Sequence, residues 1–518
     1  MIRFSVAEIF GNGMVLQRNK PIHIFGQAEE GDRVRVSIFD NHGRLVDEIN
    51  SVSDRLEKWQ VTLASMEASK DNKIVVENTS SQEKIVINNV SVGEVWLAGG
   101  QSNMEFFNKY DKDWERTKNL PKNDLIHFYN VPQRAFEGHV THNGEGRDGY
   151  GKWLNDKDEG YENFSAPAYS FARRIQEKLQ VPVGIIGCNW GGTTAIAWVP
   201  EQVLHTKELK YYLDEYDEAV KAYSKKEMKT ISLLAWEKID TPSDYKNFEP
   251  LLYGLDREAQ LEYMEKNGDG PVVPLGPYNE NRPAGLYETM LQKIIPYTIA
   301  GALWYQGESD SGDRAKTYDL LLSGLIKAWR KDWDDDFPFI LVQLAPFGEW
   351  LACTNDDYNL VRQKQQQVAD TMDGVCMTSI MDIGNYYDIH PKEKMEVGRR
   401  LALLALSHVY NKLPVEETEN PRFQSGKVEG NSLTLQFTNS KNLSVADKSD
   451  IQVTVDGQSI LPTEVTAENN RVTLSIDKEI PADAKVTVSF GWADYAVINI
   501  KNEQGLPIAP FQATLCSQ

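Results

Sequence analysis

The sequence predicts an α/β domain with a mostly parallel sheet, flanked by two all-β domains. In the middle of the chain, continuous apolar runs alternate with helical patterns, as is typical of strands buried on both faces of a parallel sheet. At both ends, apolar and polar residues alternate with a period of two, which indicates strands with one solvent-facing side. A chain of 518 residues is long enough for several domains. We therefore expect three, at residues 1–90, 91–417 and 418–518.

The first 90 residues contain short alternating runs separated by turn signals. The alternation is clear at residues 34–38 and 85–87, and the glycine-containing turn at 11–13 precedes the first of these runs. Many short strands with turns between them favour two small antiparallel sheets packed together. We expect this segment to be a sandwich-like all-β domain.

The central segment contains five apolar strand candidates, each followed by a loop or a helical pattern: residues 95–98, 183–188, 299–305, 339–345 and 375–381. Ser165 and Pro167 give a helix start, with a capping residue and an early proline. A charged stretch at about 205–275 interrupts the alternation and predicts a helical insertion. A lid over the site and a solvated hairpin without a catalytic role both remain open for this insertion.

The alternating pattern returns after about residue 418. Asp456 and Gly457 supply a hairpin turn. The strand candidates are residues 433–437, 451–455, 472–476 and 486–488. This pattern predicts a second sandwich-like all-β domain.

Composition excludes several classes of partner. The chain carries 55 basic and 76 acidic residues, a net charge of −21, which argues against nucleic acid and anionic membrane as partners. It has no apolar run long enough for a transmembrane helix, and no leader pattern at its start. Two locations stay open: secreted or periplasmic if a leader has been removed, and cytoplasmic otherwise. The four cysteines lack metal-ligand spacing, so we expect no metal site.

The most informative motif is Gly-Gly-Gln-Ser-Asn-Met at residues 99–104. It follows the first apolar run and precedes a helix-compatible segment, which predicts a strand, a tight glycine turn and a helix start. There Ser102 would have its hydroxyl at the sheet end and its N–H near a helix N-terminus, as a nucleophile that stabilises an oxyanion requires. The motif alone fits a glycine-rich turn with a capping serine equally well.

Three further loops at predicted strand ends hold unusual residues. Binding sites in open α/β sheets form outside the carboxyl ends of the strands. The loops lie at residues 188–194, 304–310 and 382–391. The last contains His390 in a polar setting beside an aspartate, and a serine nucleophile needs such a base.

These loops resemble the motif blocks of the sialate O-acetylesterase branch of the SGNH hydrolases. The matching blocks are residues 93–104, 190–193, 304–309 and 388–391, and the ends at 14–18 and 505–511 match as well. The resemblance thus covers nearly the whole chain. It implies an SGNH-hydrolase-like three-layer domain and a serine esterase that removes acetyl groups from sugar hydroxyls without metal or cofactor.

The resemblance also implies roles for single residues. Ser102 matches the nucleophile and His390 the general base. The backbone N–H groups of Ser102 and Gly192 and the side chain of Gln306 match the oxyanion-binding positions. Asp388 is the expected orienter of His390, with Glu308 as the alternative. The wider SGNH pattern has two residues between the aspartate and the histidine and an asparagine at position 306, but the sialate esterase branch matches this chain at both places.

We expect polar and aromatic residues of these loops to bind substrate, because sugars stack their C–H faces on aromatic rings. The candidates are Gln101, Asn103, Trp190, Tyr305, Glu308 and Tyr387. Arginine suits the carboxylate of a sialic acid, and loop position suggests Arg134, Arg147 and Arg282 for that role.

The sequence therefore predicts a serine esterase acting on an O-acetylated carbohydrate, with sialate (9-)O-acetylesterase as the first hypothesis. An acetylesterase for xylan, xylo-oligosaccharides or other plant glycans is the alternative, because the catalytic loops act on the shared acetyl ester. An inactive carbohydrate-binding protein on the same scaffold is the alternative from another class, and the intact set of catalytic residues argues against it. The sequence makes no prediction of the oligomeric state.

Overall fold

The computed structural model describes residues 3–139, 150–239, 256–267, 272–351, 353–446 and 450–515. The chain forms two compact units. The first comprises Met1–Gly254, Asp269–Trp304 and Leu320–Phe339, and the second comprises Leu255–Gly268, Tyr305–Asp319 and Ile340–Gln518. Both units include residues of the expected central domain, and the three-domain division remains a prediction.

Short strands dominate the start of the first unit. They are β1 (Ser5–Val6), β2 (Val15–Gln17), β3 (Ile22–Gln27), β4 (Arg33–Phe39), β5 (Leu45–Val52), β6 (Lys58–Leu63), β7 (Ser69–Asn78) and β8 (Glu83–Gly100). Strands β1, β3 and β6 form one antiparallel sheet. Strands β5, β4, β7 and β8 pair antiparallel in that order, and β2 pairs with β8 in parallel. These strands fit the expected all-β character, and a sandwich arrangement remains a prediction.

Strand β8 continues through residue 90 into a second group of strands. These are β9 (Ile126–Asn130), β10 (Trp153–Asn155), β11 (Val183–Asn189) and β12 (Gly301–Tyr305), in the sheet order β10-β9-β11-β8-β12. Strand β11 pairs in parallel with both β8 and β9. All seven residues of β11 are buried, as the continuous apolar run predicts.

Helices separate and follow these strands. They are α1 (Ser102–Glu105), α2 (Trp114–Thr117), α3 (Ala166–Leu179), α4 (Tyr211–Lys221), α5 (Lys225–Ile239), α6 (Arg257–Asn267), α7 (Gly285–Thr289), α8 (Tyr318–Trp333), α9 (Tyr358–Thr371) and α10 (Lys394–Leu404). Helix α3 begins as predicted, since the Ser165 hydroxyl accepts a hydrogen bond from the Ala168 N–H at 3.2 Å. Helices α4, α5 and α6 lie within the expected insertion, of which residues 240–255 and 268–271 are outside the described part.

The second unit contains a buried strand, a partly buried strand and an all-β region. Two strands are neighbours in one sheet: β13 (Phe339–Val342) and β16 (Val375–Thr378). Between them in the chain, an antiparallel pair is formed by β14 (Glu349–Trp350) and β15 (Cys353–Thr354). Ten strands follow: β17 (Arg422–Glu429), β18 (Ser432–Thr438), β19 (Ser444–Val445), β20 (Ile451–Val455), β21 (Gln458–Ile460), β22 (Glu464–Glu468), β23 (Arg471–Ser475), β24 (Val486–Phe490), β25 (Ile500–Lys501) and β26 (Phe511–Leu515).

Most of these last strands form two four-stranded antiparallel sheets, ordered β17-β18-β23-β22 and β21-β20-β24-β26. Buried side chains of both sheets, among them Leu435 and Val488, belong to one apolar core. This core is the product of the predicted alternation, because every second residue of each strand points inward. Within the described ranges, no helix is long and apolar enough to cross a membrane.

Candidate active site

The predicted strand, turn and helix are present at the end of β8. The strand ends at Gly100, and Ser102 is the first residue of α1. Gly100 has a φ of +140°, a backbone conformation that favours glycine. Ser102 is 9% exposed, and its neighbours Gln101 and Asn103 are more deeply buried. Ser102 therefore lies where a strand-end nucleophile is expected, and its catalytic role remains a prediction.

The loop after β11 lies beside this turn. In the parallel register Asn189, the last residue of β11, is opposite Gly100, and the Trp190 N–H donates to the Gly100 carbonyl at 3.2 Å. A Cβ placed on Gly191 would be 3.2 Å from Ser102 Cβ, so the absence of a side chain permits this close approach. Gly192 adopts a φ of +74°. The first unit thus brings the first and second motif blocks together.

A buried carboxylate joins these two blocks, and the sequence analysis missed it. Glu105 Oε2 accepts a hydrogen bond from the Gly191 N–H at 2.7 Å. Its Oε1 accepts from Gln133 Nε2 at 3.1 Å, and the same amide group donates to the Asn189 carbonyl at 3.1 Å. The signal in the sequence is a glutamate one helical turn after the nucleophile, where its side chain lies on the same face as Ser102.

The distal part of this loop is also held by hydrogen bonds. The Thr193 hydroxyl donates to the Trp190 carbonyl at 2.7 Å and accepts from Trp198 Nε1 at 3.0 Å. The Thr194 N–H donates to Asn281 Oδ1 at 2.8 Å. Trp198 is fully buried, whereas Trp190 is half-buried. These bonds fix the backbone on both sides of Gly192.

In the second unit, two neighbours fix the amide of Gln306, which is fully buried. Its Nε2 donates to Asp310 Oδ2 at 2.6 Å, and its Oε1 accepts from the Tyr318 hydroxyl at 2.9 Å. The orientation follows from chemistry, because a carboxylate can only accept and so requires the amide nitrogen on its side. A fixed N–H group is what an oxyanion donor requires, and that role for Gln306 remains a prediction.

The neighbours of Gln306 in sequence are buried too. Tyr305 is fully buried, with the Lys394 ammonium 5.2 Å from its ring centroid. Burial, and after it the charge of Glu308, raises the pKa of the Tyr305 hydroxyl well above its ordinary value. Glu308 is 7% exposed. Direct contact of either residue with substrate remains a prediction.

His390 is itself buried, and Asp388 fixes the bend of its loop. The Asp388 carboxylate accepts from the His390 backbone N–H at 2.8 Å, and the same oxygen lies 3.6 Å from Nδ1 of the imidazole. The 3.6 Å distance exceeds that of a hydrogen bond, but the charges still interact. The ring of Trp350 lies perpendicular to the imidazole, with centroids 5.0 Å apart. The second unit therefore brings the predicted base and its predicted orienter together.

The surroundings of His390 favour its neutral form. Burial lowers the pKa of the imidazole below its ordinary value; Asp388 opposes this shift, and the cations of Lys394 and Lys392 add to it. A general base must be neutral to accept a proton, so this lowered pKa suits the base role of His390, which remains a prediction.

A buried ion network fixes the start of the His390 loop. Arg400 forms two hydrogen bonds of 2.8 Å to the two oxygens of Asp382, and Lys501 Nζ lies 2.8 Å from one of them. Planar, two-point pairing of this kind restricts orientation as well as distance. The loop is thus anchored eight residues before His390.

The arginines suggested for a substrate carboxylate already have acidic partners in the described part of the chain. Arg134 lies 3.1 Å from Glu8, and Arg282 lies 2.6 Å from Glu288. Arg147 lies outside the described residues. No group of three or more histidine, cysteine, aspartate or glutamate side chains among the residues that the structure describes could hold a metal ion.

Comparison with known proteins shows which families this chain resembles. The family model for carbohydrate esterases described as sialic acid-specific acetylesterases matches residues 277–407, which include the Gln306 and His390 loops. A second model, for a flagellar system-associated repeat, matches residues 416–493. Sialate O-acetylesterase of Rattus norvegicus is 25% identical over 441 residues, covering 79% of this chain and 74% of that protein.

Two further comparisons agree. Sialate O-acetylesterase of Homo sapiens is 22% identical over 442 residues, covering 79% of this chain and 72% of that protein. The crystal structure of a carbohydrate acetylesterase from Xanthomonas citri aligns with a TM-score of 0.70 and 23% identity over 98% of this chain and 99% of that chain. The shared fold fits the mixed sheet with helices described above. Together these matches confirm that the chain resembles the sialate O-acetylesterase family of carbohydrate esterases.

Proposed function

We propose that this protein is a serine esterase that removes O-acetyl groups from sugars. The observation that carries the proposal is the position of Ser102, which begins a helix at the carboxyl end of a buried parallel strand with the Gly191 and Gly192 loop against it. Backbone N–H groups concentrated beside a serine hydroxyl suit the negative charge that develops on an ester carbonyl oxygen during acyl transfer.

The mechanism assigns one task to each residue. The Ser102 hydroxyl oxygen attacks the acetyl carbonyl carbon while neutral His390 accepts the hydroxyl proton. The N–H groups of Ser102 and Gly192 and the Gln306 amide bind the oxyanion. As the tetrahedral intermediate collapses, His390 returns the proton to the departing sugar oxygen. Water then hydrolyses the acetyl-enzyme by the same steps, with Asp388 orienting His390 throughout.

The sialate hypothesis rests on the names of the relatives. The family model is described as sialic acid-specific, and the mammalian relatives are sialate O-acetylesterases, which favours an O-acetylated sialate as substrate. The structural neighbour is named only as a carbohydrate acetylesterase, and this keeps acetylated xylan, xylo-oligosaccharides and other plant glycans as the alternative substrates. The test is to measure acetate release from purified O-acetylated sialates and from acetylated xylo-oligosaccharides, and to compare the two rates.

The serine mechanism is tested with Ser102→Ala. We expect acetate release to fall about 10³-fold or more, because the members of a catalytic triad act as a unit. Ser489→Ala is the matched control: Ser489 is also buried, but it lies on β24 and accepts from Gln512 Nε2 at 3.0 Å. Ser102→Ala activity within about tenfold of wild type would exclude the serine mechanism. A wild-type protein that binds acetylated sugars but releases no acetate would be the inactive carbohydrate-binding protein.

A further inference from the structure

The His390 loop exposes two adjacent aromatic side chains. Tyr386 and Tyr387 are 43% and 46% exposed, whereas Asp388 and His390 in the same loop are 8% and 2% exposed. A single exposed aromatic residue needs no explanation. Two in succession, in the same loop as a buried histidine, form an exposed apolar surface.

Hydrogen bonds hold the backbone under these two rings. The Tyr386 carbonyl accepts from the N–H groups of Gly348 and Glu349 at 3.0 and 2.8 Å. The Tyr387 N–H donates to Asn385 Oδ1 at 2.9 Å. The backbone that carries the two rings is therefore already ordered. Binding a ligand would cost little conformational entropy in this loop.

The rings also support one another. Tyr386 packs edge-on against Tyr387 with centroids 4.8 Å apart and against Tyr495 with centroids 5.0 Å apart. A Cβ on Gly348 would be 2.6 Å from the Tyr386 ring, so glycine at this position makes room for the ring. The Arg257 guanidinium lies 5.3 Å from the Tyr387 centroid.

Tyr495 comes from the C-terminal all-β region, and its segment is anchored to α9. The guanidinium of Arg362, which is 1% exposed, donates to the Asp494 carbonyl at 3.1 Å, and the Asn359 N–H donates to Asp494 Oδ1 at 3.0 Å. The third ring is thus held in place by contacts within the second unit.

We propose that Tyr386, Tyr387 and Tyr495 form a stacking platform for a pyranose ring of the acetylated substrate. The proposal rests on the proposed function and assigns part of the substrate recognition to the C-terminal region. One face of a pyranose presents C–H groups with partial positive charge, and the face of an aromatic ring is negative. A platform in the same loop as the general base would select esters of sugars over esters of small alcohols and phenols.

The test compares a sugar ester with an ester that has no sugar. The kcat/KM is measured for O-acetylated N-acetylneuraminic acid, for acetylated xylobiose and for 4-nitrophenyl acetate, with Tyr387→Ala, Tyr495→Ala and Tyr387→Phe. Both alanine variants should lose about five- to tenfold in kcat/KM on the sugar ester, mainly through KM, and retain hydrolysis of 4-nitrophenyl acetate. Tyr387→Phe, which keeps the ring, should behave as wild type.

Tyr223→Ala is the matched control, because Tyr223 is 42% exposed and follows α4. Unchanged sugar-ester kinetics in Tyr387→Ala, or an equal loss on both kinds of ester, would overturn the platform. The proposed function fails separately, when the wild-type protein releases no acetate from either sugar ester. Tyr387 is the decisive position if Tyr495→Ala does not fold, since its exposed ring can be removed without opening a buried cavity.

Discussion

The Glu105 carboxylate accepts a hydrogen bond from the Gly191 backbone N–H at 2.7 Å. Glu105 lies three residues after Ser102 on α1, so this bond links the helix of the proposed nucleophile to the loop that carries Gly192. The bond occupies the Gly191 N–H, which supports Gly192 as the oxyanion donor of the glycine pair. We therefore predict that Glu105 is a positioning residue, which acts on the reaction through the loop that carries Gly192.

Replacing Glu105 should impair the transition state more than substrate binding. We expect Glu105→Leu to lower kcat by about 100-fold with little change in KM, an effect comparable to removing one oxyanion donor. Glu105→Gln should lose less activity than Glu105→Leu, because its amide oxygen can still accept from Gly191, although its amide nitrogen no longer accepts from Gln133 Nε2. Steady-state kinetics with 4-nitrophenyl acetate and thermal unfolding of each variant provide the measurement. Equal losses in the two variants would show that the hydrogen bond has no part in positioning.

The Tyr318 hydroxyl should matter through Gln306. Its oxygen lies 2.9 Å from both the side-chain and the backbone oxygen of Gln306, so these two acceptors share its single O–H. Tyr318→Phe leaves Asp310 as the main anchor of the amide, and a small displacement of a catalytic group can cost a large factor in rate. We expect kcat to fall about tenfold with KM unchanged. Tyr287→Phe is the control, since it removes a hydroxyl that donates to Asp332 at 2.8 Å; an equal loss there would refute the assignment.

Local patterns predicted much of the fold and of the candidate site. The strand, turn and helix around Ser102, the start of α3 at Ser165 and the buried strand β11 were all visible as periodicity and glycine or capping residues. The ion pairs of Arg134 and Arg282 could not be predicted, because an ion pair such as Arg282 with Glu288 depends on the folded path of the chain, and a role in binding substrate stays a prediction. The link from Glu105 to Gly191 spans 86 residues, so the position of the glutamate three residues after Ser102 is visible in the sequence but its distant partner is not.

The pH dependence of activity should reflect the burial of His390. An ordinary histidine has a pKa of about 6.5, and burial lowers the pKa of this one. Activity requires the neutral imidazole, so kcat/KM should fall only as the pH drops through the lowered pKa. We expect the acidic limb below pH of about 6.5, rather than in the ordinary histidine range. A limb at or above that value would contradict the buried environment.

A charge variant makes this expectation sharper. Lys392 Nζ lies 3.7 Å from Asp388 Oδ2, and its cation contributes to the lowered pKa of His390. Lys392→Ala should therefore move the acidic limb to higher pH, because the imidazolium loses a repelling neighbour. Lys427→Ala is the control, since Lys427 pairs with Glu429 on β17. The pH profile of kcat/KM is the measurement, and a limb that does not move in Lys392→Ala would show that the cation does not act on His390.

The last prediction concerns the residue that orients His390. Asp388 is only two residues before His390, so its carboxylate can approach Nδ1 only where the loop bends sharply. The loop does bend in this way: one carboxylate oxygen accepts from the His390 N–H at 2.8 Å and lies 3.6 Å from Nδ1. The charge of Glu308 acts on a tyrosine as well: burial, and after it this charge, raises the pKa of the Tyr358 hydroxyl well above its ordinary value. Asp388→Asn keeps an acceptor for the His390 N–H but removes the charge, so the loop should stay folded. We expect a loss of about 10⁴-fold in kcat, as for a triad aspartate, and an acidic limb shifted to lower pH. Glu308→Gln should cost far less and leave the limb in place. The opposite ranking of the two variants would assign the orienting role to Glu308 and leave Asp388 as a residue that shapes the loop.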